Sequence, residues 1–229
     1  METGKTTKYF QYAIGEIILV VIGILIALQI NNWNQNRVNK QKEKLLLSEL
    51  YKEFVKNQEQ FEQVVIVHKK ALKSTNYVIA QFPINPNRIN LDTLQSHLSG
   101  WATRYTFNPS QGVIKSLVNS SSFELISNSE LRKLLVSWED VLADYQEEEI
   151  IASLTLRNHI IPIITNHIPM GNLADDRFDS SYLSTFEFEN MYKLRANNLK
   201  DILSNRSGEL DLIRETISEI IKLSKPEDL

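Results

Sequence analysis

Cysteine is absent from the chain. That excludes disulfides, thiolate metal sites and cysteine nucleophiles, and it leaves the redox compartment unreadable from thiols. Glycine is scarce at seven residues, and two of them, Gly15 and Gly23, stand inside an apolar run. Neither a GxGxxG nor a GxxxxGK[ST] pattern occurs, so no glycine-rich phosphate cradle is present. The GxSxG elbow of one class of serine hydrolases is missing as well. Strong charge of either sign is also lacking: the formal net charge is -3. A nucleic-acid binder would normally show a basic face, so no nucleic-acid partner is expected. Few Gly, six Pro and long periodic segments together point to an all-α chain.

What is present is one apolar run. Residues 14–30 read IGEIILVVIGILIALQI, interrupted by a single acid, Glu16. About 20 apolar residues in a helix match a hydrocarbon core about 30 Å thick. Tyr9, Phe10 and Tyr12 before the run and Trp33 after it suit two aromatic belts. No small-residue cleavage site follows, which argues against a removed signal peptide. The expected organisation is a short tail (1–11), a transmembrane helix (12–33) and a helical extramembrane domain (34–229). The roughly 195 residues of that domain suffice for one sizeable core.

Residues 37–82 hold no Gly or Pro, and Leu46, Leu50, Phe54, Phe61, Val65, His68, Leu72 and Ile79 mark one helical stripe. Lys42, Glu43, Lys52, Glu53, Glu59 and Lys69 fall off that stripe. The sequence around Pro83 and Pro86 stops the helix. A short helix is predicted from Leu91 to about Trp101, with Asn90 as N-cap, and another after Pro109 through Val118. The phrase from Phe123 to Asn128 reads equally as a helical turn or an extended piece.

Residues 129–161 read as a second long helix, its face carried by Leu131, Leu134, Leu135, Trp138, Leu142, Tyr145, Ile150, Leu154 and Ile161. Within it Glu147, Glu148 and Glu149 read as a solvated acidic surface, and Pro162 kinks or ends the helix. A polar loop from Pro169 precedes a third long helix over 187–223, which Gly208 weakens or bends. The expected fold is all-α: a transmembrane helix, then an elongated antiparallel helical bundle with two short extra helices.

Patterns that carry chemistry are few. His68, His97, His159 and His167 show no metal-ligand spacing and read as surface or partly buried side chains. The stretch Asp175-Asp176-Arg177-Phe178-Asp179 is distantly similar to a calcium loop, but it lacks the alternation and the closing Glu, so it reads as a solvated turn. No catalytic, cofactor-binding or metal site is assigned, and no cofactor is expected. Trp101, Trp138 and Tyr145 are candidates to line a small-molecule or lipid pocket, against the plainer reading of core packing. Glu16 is the candidate intramembrane polar residue, set against an interfacial position about one turn from the span's end. Gly15, Leu19, Gly23 and Ala27 fall at four-residue steps and form a candidate helix-packing face for a homodimer or a second membrane protein.

The stretch Lys8-Tyr9-Phe10, Tyr12 to Ile17 and Leu19 to Asn34 resembles the N-terminal segment of a large bacterial family of unknown function, common in the Bacteroidetes lineage. A weaker similarity covers Ile114 to Leu117 and Leu125 to Leu131; where the family carries a Gly-Asn pair, this chain has Ser121-Ser122. The resemblance implies one membrane helix and a helical domain of this size, with no assigned activity. Basic tails in relatives imply a cytoplasmic N-terminus and a periplasmic domain. The local charges pull the other way or leave the side open, with Lys5 and Lys8 before the run and Arg37, Lys40, Lys42 and Lys44 after it. The expected function is a non-enzymatic inner-membrane protein that binds a partner or senses the envelope as a scaffold component, its partners being the bilayer and a second copy or another membrane protein. The alternative is a small-molecule or lipid-binding module.

Overall fold

A computed structural model describes residues 3–100, 102–169, 173–204 and 208–226. Trp101 and residues 170–172 of the expected loop lie outside them, as do the side chains of Lys8, Tyr9, Phe10 and Tyr12. The described residues are mostly helical, with no strand among them.

One helix dominates. α1 (Thr3–Ile79) runs through the apolar stretch and on into the bundle without a break, a length of about 115 Å at 1.5 Å per residue. No Pro or Gly interrupts it after Gly23 until the turn at Phe82-Pro83. α2 (Leu91–Gly100) and α3 (Gly112–Val118) are the two short helices, and α4 (Ser129–Thr155) is the second long one. α4 continues through a π-helical turn (Leu156–Ile160) into α5 (Ile161–His167). α6 (Phe186–Leu203) and α7 (Glu209–Ser224) complete the chain.

These elements form three columns. Phe54 meets Trp138, Phe61 meets Tyr145, and His68 meets Glu149, so α1 and α4 run in the same direction. Phe82 meets Phe188 while Glu62 meets Arg214, so α6 and α7 descend antiparallel to both. The expected third long helix is thus one column made of two helices. α6 ends at Leu203, and α7 is entered through Gly208, whose φ of 84° lies in the left-handed region that side chains with a Cβ disfavour.

Local chemistry sets the boundaries. Asn90 Oδ1 accepts from Thr93 N at 2.9 Å and caps α2 as expected. Asn128 Oδ1 accepts from Glu130 N and Leu131 N at 2.9 and 3.0 Å and starts α4. The undecided phrase before it is a 3-10 turn (Ser121–Leu125) followed by extended backbone at Ile126. Pro162 neither stops nor sharply ends the second column. A proline ring collides with the carbonyl four residues back, and here the wider π turn stands immediately before it. Asp175 binds Arg177 at 2.7 Å and Asp179 caps a 3-10 turn through Ser181 N, so this acidic loop is held by its own turns.

Two apolar clusters fill the bundle. The one nearer the apolar run holds Phe54, Phe61, Phe107, Trp138, Tyr145 and Ile213, with edge-to-face ring pairs at 5.0 to 5.3 Å. The farther one holds Val78, Leu94, Leu156, Tyr182, Phe188 and Tyr192. Trp138 and Tyr145 are 0% and 1% exposed, so both are core residues. The apolar stretch of α1 stands outside both clusters: none of its most hydropathic window is buried, and Leu19 is 71% exposed.

Candidate functional site

The most concentrated polar chemistry lies where α1, α4, α6 and the extended segment after α2 converge. The stripe on α4 continues at helical spacing through Leu142, Tyr145, Glu149, Ala152 and Leu156, all buried. Ile150 and Leu154, expected on that face, are 50% and 48% exposed. Glu149 is therefore not part of a solvated acidic surface: it is 2% exposed, while Glu147 is exposed and Glu148 half-buried. A carboxylate is tolerated there because its oxygens are matched. Nε2 of His68 lies 3.0 Å from Oε1, and Phe107 N donates to Oε2 at 2.8 Å. His68, read as a surface or partly buried histidine, is 3% exposed and sits on the core stripe of α1.

Two further groups complete the cluster. The Tyr145 hydroxyl is pushed well above the usual phenol range, first by burial and then by the neighbouring Glu149 charge. Arg195 of α6 is 2% exposed, and its Nη2 donates to Thr103 O at 2.8 Å. Burial, followed by the nearby Arg104 charge, holds its guanidinium down to about 10. The cavity that His68, Glu149 and Arg195 line measures about 10 Å3, room for about one water. The cluster ties three helical columns and the extended segment together.

Other acids and amides of α1 act in the same way. Glu43 Oε1 accepts from Ser127 N at 2.6 Å, and Glu53 accepts from Ser110 Oγ at 2.9 Å and Val113 N at 3.2 Å. The Asn57 side-chain amide exchanges two hydrogen bonds with the Ser110 backbone, each 2.9 Å. Arg214 of α7 donates to Glu62 at 2.8 Å and covers the Phe61 ring at 5.5 Å. Sequence periodicity placed Glu43 and Glu53 off the stripe, and they do lie at its edge. Their partners are 57 to 84 residues away, beyond the reach of any local pattern.

The remaining candidates are scattered. His97 stacks on Tyr77 at 3.9 Å, His167 stacks on Tyr182 at 4.2 Å, and His159 is exposed in the π turn. Among the described residues no three His, Asp or Glu side chains converge as a metal site would require. Gly15, Leu19, Gly23 and Ala27 lie on the exposed stretch of α1, and a Cβ built on Gly15 or Gly23 would meet no other atom of the chain within 4 Å. Glu16 is exposed on the same stretch.

Fold and sites together define an all-α protein: a polar-latched bundle carried on a helix long and apolar enough to cross a membrane. A family model described as a family of unknown function (DUF6090) matches residues 16–145, more than half of the chain, and the chain belongs to that family. The match spans the apolar run, the bundle part of α1 and most of α4; it includes His68 and ends at Tyr145, before Glu149. No curated protein and no solved structure matches the chain.

Proposed function

We propose that this chain is a single-pass protein of a bacterial inner membrane whose helical domain stands on the periplasmic side. It acts without catalysis, as a partner-binding or envelope-sensing scaffold. One observation carries the reading: the apolar stretch is wholly exposed on the chain that bears it, yet it is continuous with the central helix of the bundle. A soluble protein buries such a stretch in its own core, because leaving it in water costs about 25 cal/mol for each Å2 of apolar surface. A bilayer offers the same relief at matching length. An uninterrupted helix also transmits rotation or tilt of the span directly to the columns latched onto α1.

The family resemblance supports the periplasmic side, and among the described residues no metal cluster favours an enzymatic reading. The face of Gly15, Leu19, Gly23 and Ala27 is the proposed meeting point with a second span. Photo-crosslinking from positions flanking Gly23 in intact membranes tests it. A crosslinked dimer or second membrane protein is the expected product; monomer alone at every position would defeat the partner reading. A reporter fused after Leu229 that matures only in the periplasm tests the side. Activity is expected, and an expressed but inactive fusion reverses the orientation.

A further inference from the structure

The pair that joins α1 to α4 uses only one of the two nitrogens of His68. The residue is 3% exposed, and its Nε2 is matched to Glu149 Oε1 at 3.0 Å. Nδ1 is buried too, and among the described residues it meets no hydrogen-bonding group. Buried polar atoms are nearly always matched, by protein or by ordered water. His68 lines the cavity of about 10 Å3 where the columns converge, at the lower end of the space that one water requires, about 10 to 15 Å3. Cavities of this kind stay dry when their walls are apolar. This one is polar: Thr103 and Arg104 of the extended segment, Glu149 and Ser153 of α4 and Arg195 of α6 line it with His68.

We infer that this cavity is a binding site for one internal water molecule, hydrogen-bonded to His68 Nδ1. Size excludes any larger ligand, and chemistry selects among occupants of that size. Nδ1 presents a lone pair when the imidazole is neutral and Nε2–H donates to Glu149; it presents an N–H when both nitrogens are protonated. Water donates to the first and accepts from the second, so it fits the pair in either state. A monatomic anion cannot donate to the lone pair, and the Glu149 carboxylate lines the same space. An ammonium ion cannot accept from the N–H, and two guanidiniums, Arg104 and Arg195, stand against its charge. An internal water makes about two to four hydrogen bonds, so beyond Nδ1 it reaches polar groups of the extended segment, α4 or α6. The direct pair joins two columns, and the water extends the join into the surrounding elements. Arg104 and Tyr105 line the cavity and are themselves exposed, so the water exchanges with solvent while the bundle stays folded. The site lies inside the bundle and does not depend on α1 crossing a membrane.

Two measurements on the unaltered full chain test the site, so no variant has to fold. Crystals grown from a lipid phase, at a resolution that shows ordered water, should carry one density peak about 2.7 to 3.2 Å from His68 Nδ1. A second polar atom of the cavity wall should lie within the same range of that peak. The same chain in lipid nanodiscs should show nuclear magnetic cross-relaxation between water and the carbon-bound ring proton of His68 beside Nδ1. Its sign should be that of a water tumbling with the protein. All buffers are free of ammonium, and bromide replaces chloride so that a bound anion reveals itself by anomalous scattering. No density at Nδ1 together with no cross-relaxation would mean a dry void and overturn the proposal. A bromide signal at the peak would overturn it as well, and so would a ring orientation in which Nδ1 pairs directly with a protein group.

Discussion

Nε2 of His68 and Oε1 of Glu149 lie 3.0 Å apart across the interior, joining α1 to α4 over 81 residues of sequence. Their side chains are 4% and 0% exposed. Breaking a buried, hydrogen-bonded pair from one side leaves the other group without compensation. Glu149→Ala strands both His68 and the Phe107 amide and should cost about 3 kcal/mol or more. Glu149→Gln keeps an oxygen for Phe107 N and should cost about half as much. Denaturant unfolding of the solubilised full chain checks both. A double cycle with His68→Ala should return a coupling of about 1 to 3 kcal/mol; coupling near zero would show that the contact contributes nothing.

Asn57 fastens the extended segment to α1 with a two-way amide pairing to Ser110. Asn57→Ala leaves an N–H and a carbonyl unmatched in a partly buried place, with an expected loss of about 2 kcal/mol. Hydrogen exchange should show faster labelling at the Ser110 amide, with exchange in the middle of α4 unchanged.

Gly208 and Gly100 predict losses of different origin. Gly208 has open space around it and a φ of 84°, so Gly208→Ala should destabilise by about 1 kcal/mol through backbone conformation alone, and Gly208→Asn by less. At Gly100 a Cβ would stand 2.6 Å from Ser74 Oγ. Gly100→Ala should therefore be relieved by Ser74→Gly, a rescue that has no counterpart at Gly208. Thermal melts of the single and double variants decide between the two mechanisms.

Glu148 carries a pH prediction. Partial burial, then the charges of Asp201, Glu209 and Glu147, hold its carboxyl above the ordinary 4.5. The unfolded chain therefore releases this proton at lower pH than the folded one, and folding loses stability as pH rises from the unfolded value through the folded one. Glu148→Gln should stabilise the protein at neutral pH by a few tenths of a kcal/mol, since the group is largely screened. The gain should vanish in acid, below about pH 4.5. Unfolding midpoints measured from acid to neutral pH check the sign.

Much of the fold was legible in the sequence because its signals are local. Asn90 announces a helix start, Leu50, Phe54, Phe61 and Val65 repeat at helical spacing, and the apolar run stands out by length alone. The stripe on α4 was legible as far as Tyr145. Beyond it the apolar Ile150 and Leu154 point to the wrong face, because the true face continues through a carboxylate. Nothing near Glu149 in sequence reveals that His68 and Phe107 N will meet it. The same limit hid the Glu43, Glu53 and Asn57 latches: each satisfies a backbone group that tertiary structure alone brings near. Pro162 read as a kink or an end because a proline clash is usually relieved that way, whereas here a π turn stands before it.

The proposed role requires that the exposed apolar stretch of α1 lie in a bilayer and remain part of the mature chain. Alkaline carbonate extraction of membranes, followed by peptide mass spectrometry of pellet and supernatant, tests this most directly. The chain is expected to stay in the pellet and to yield peptides spanning Ile14 to Arg37. Recovery in the supernatant, or of a chain that begins after Ile30, would contradict it.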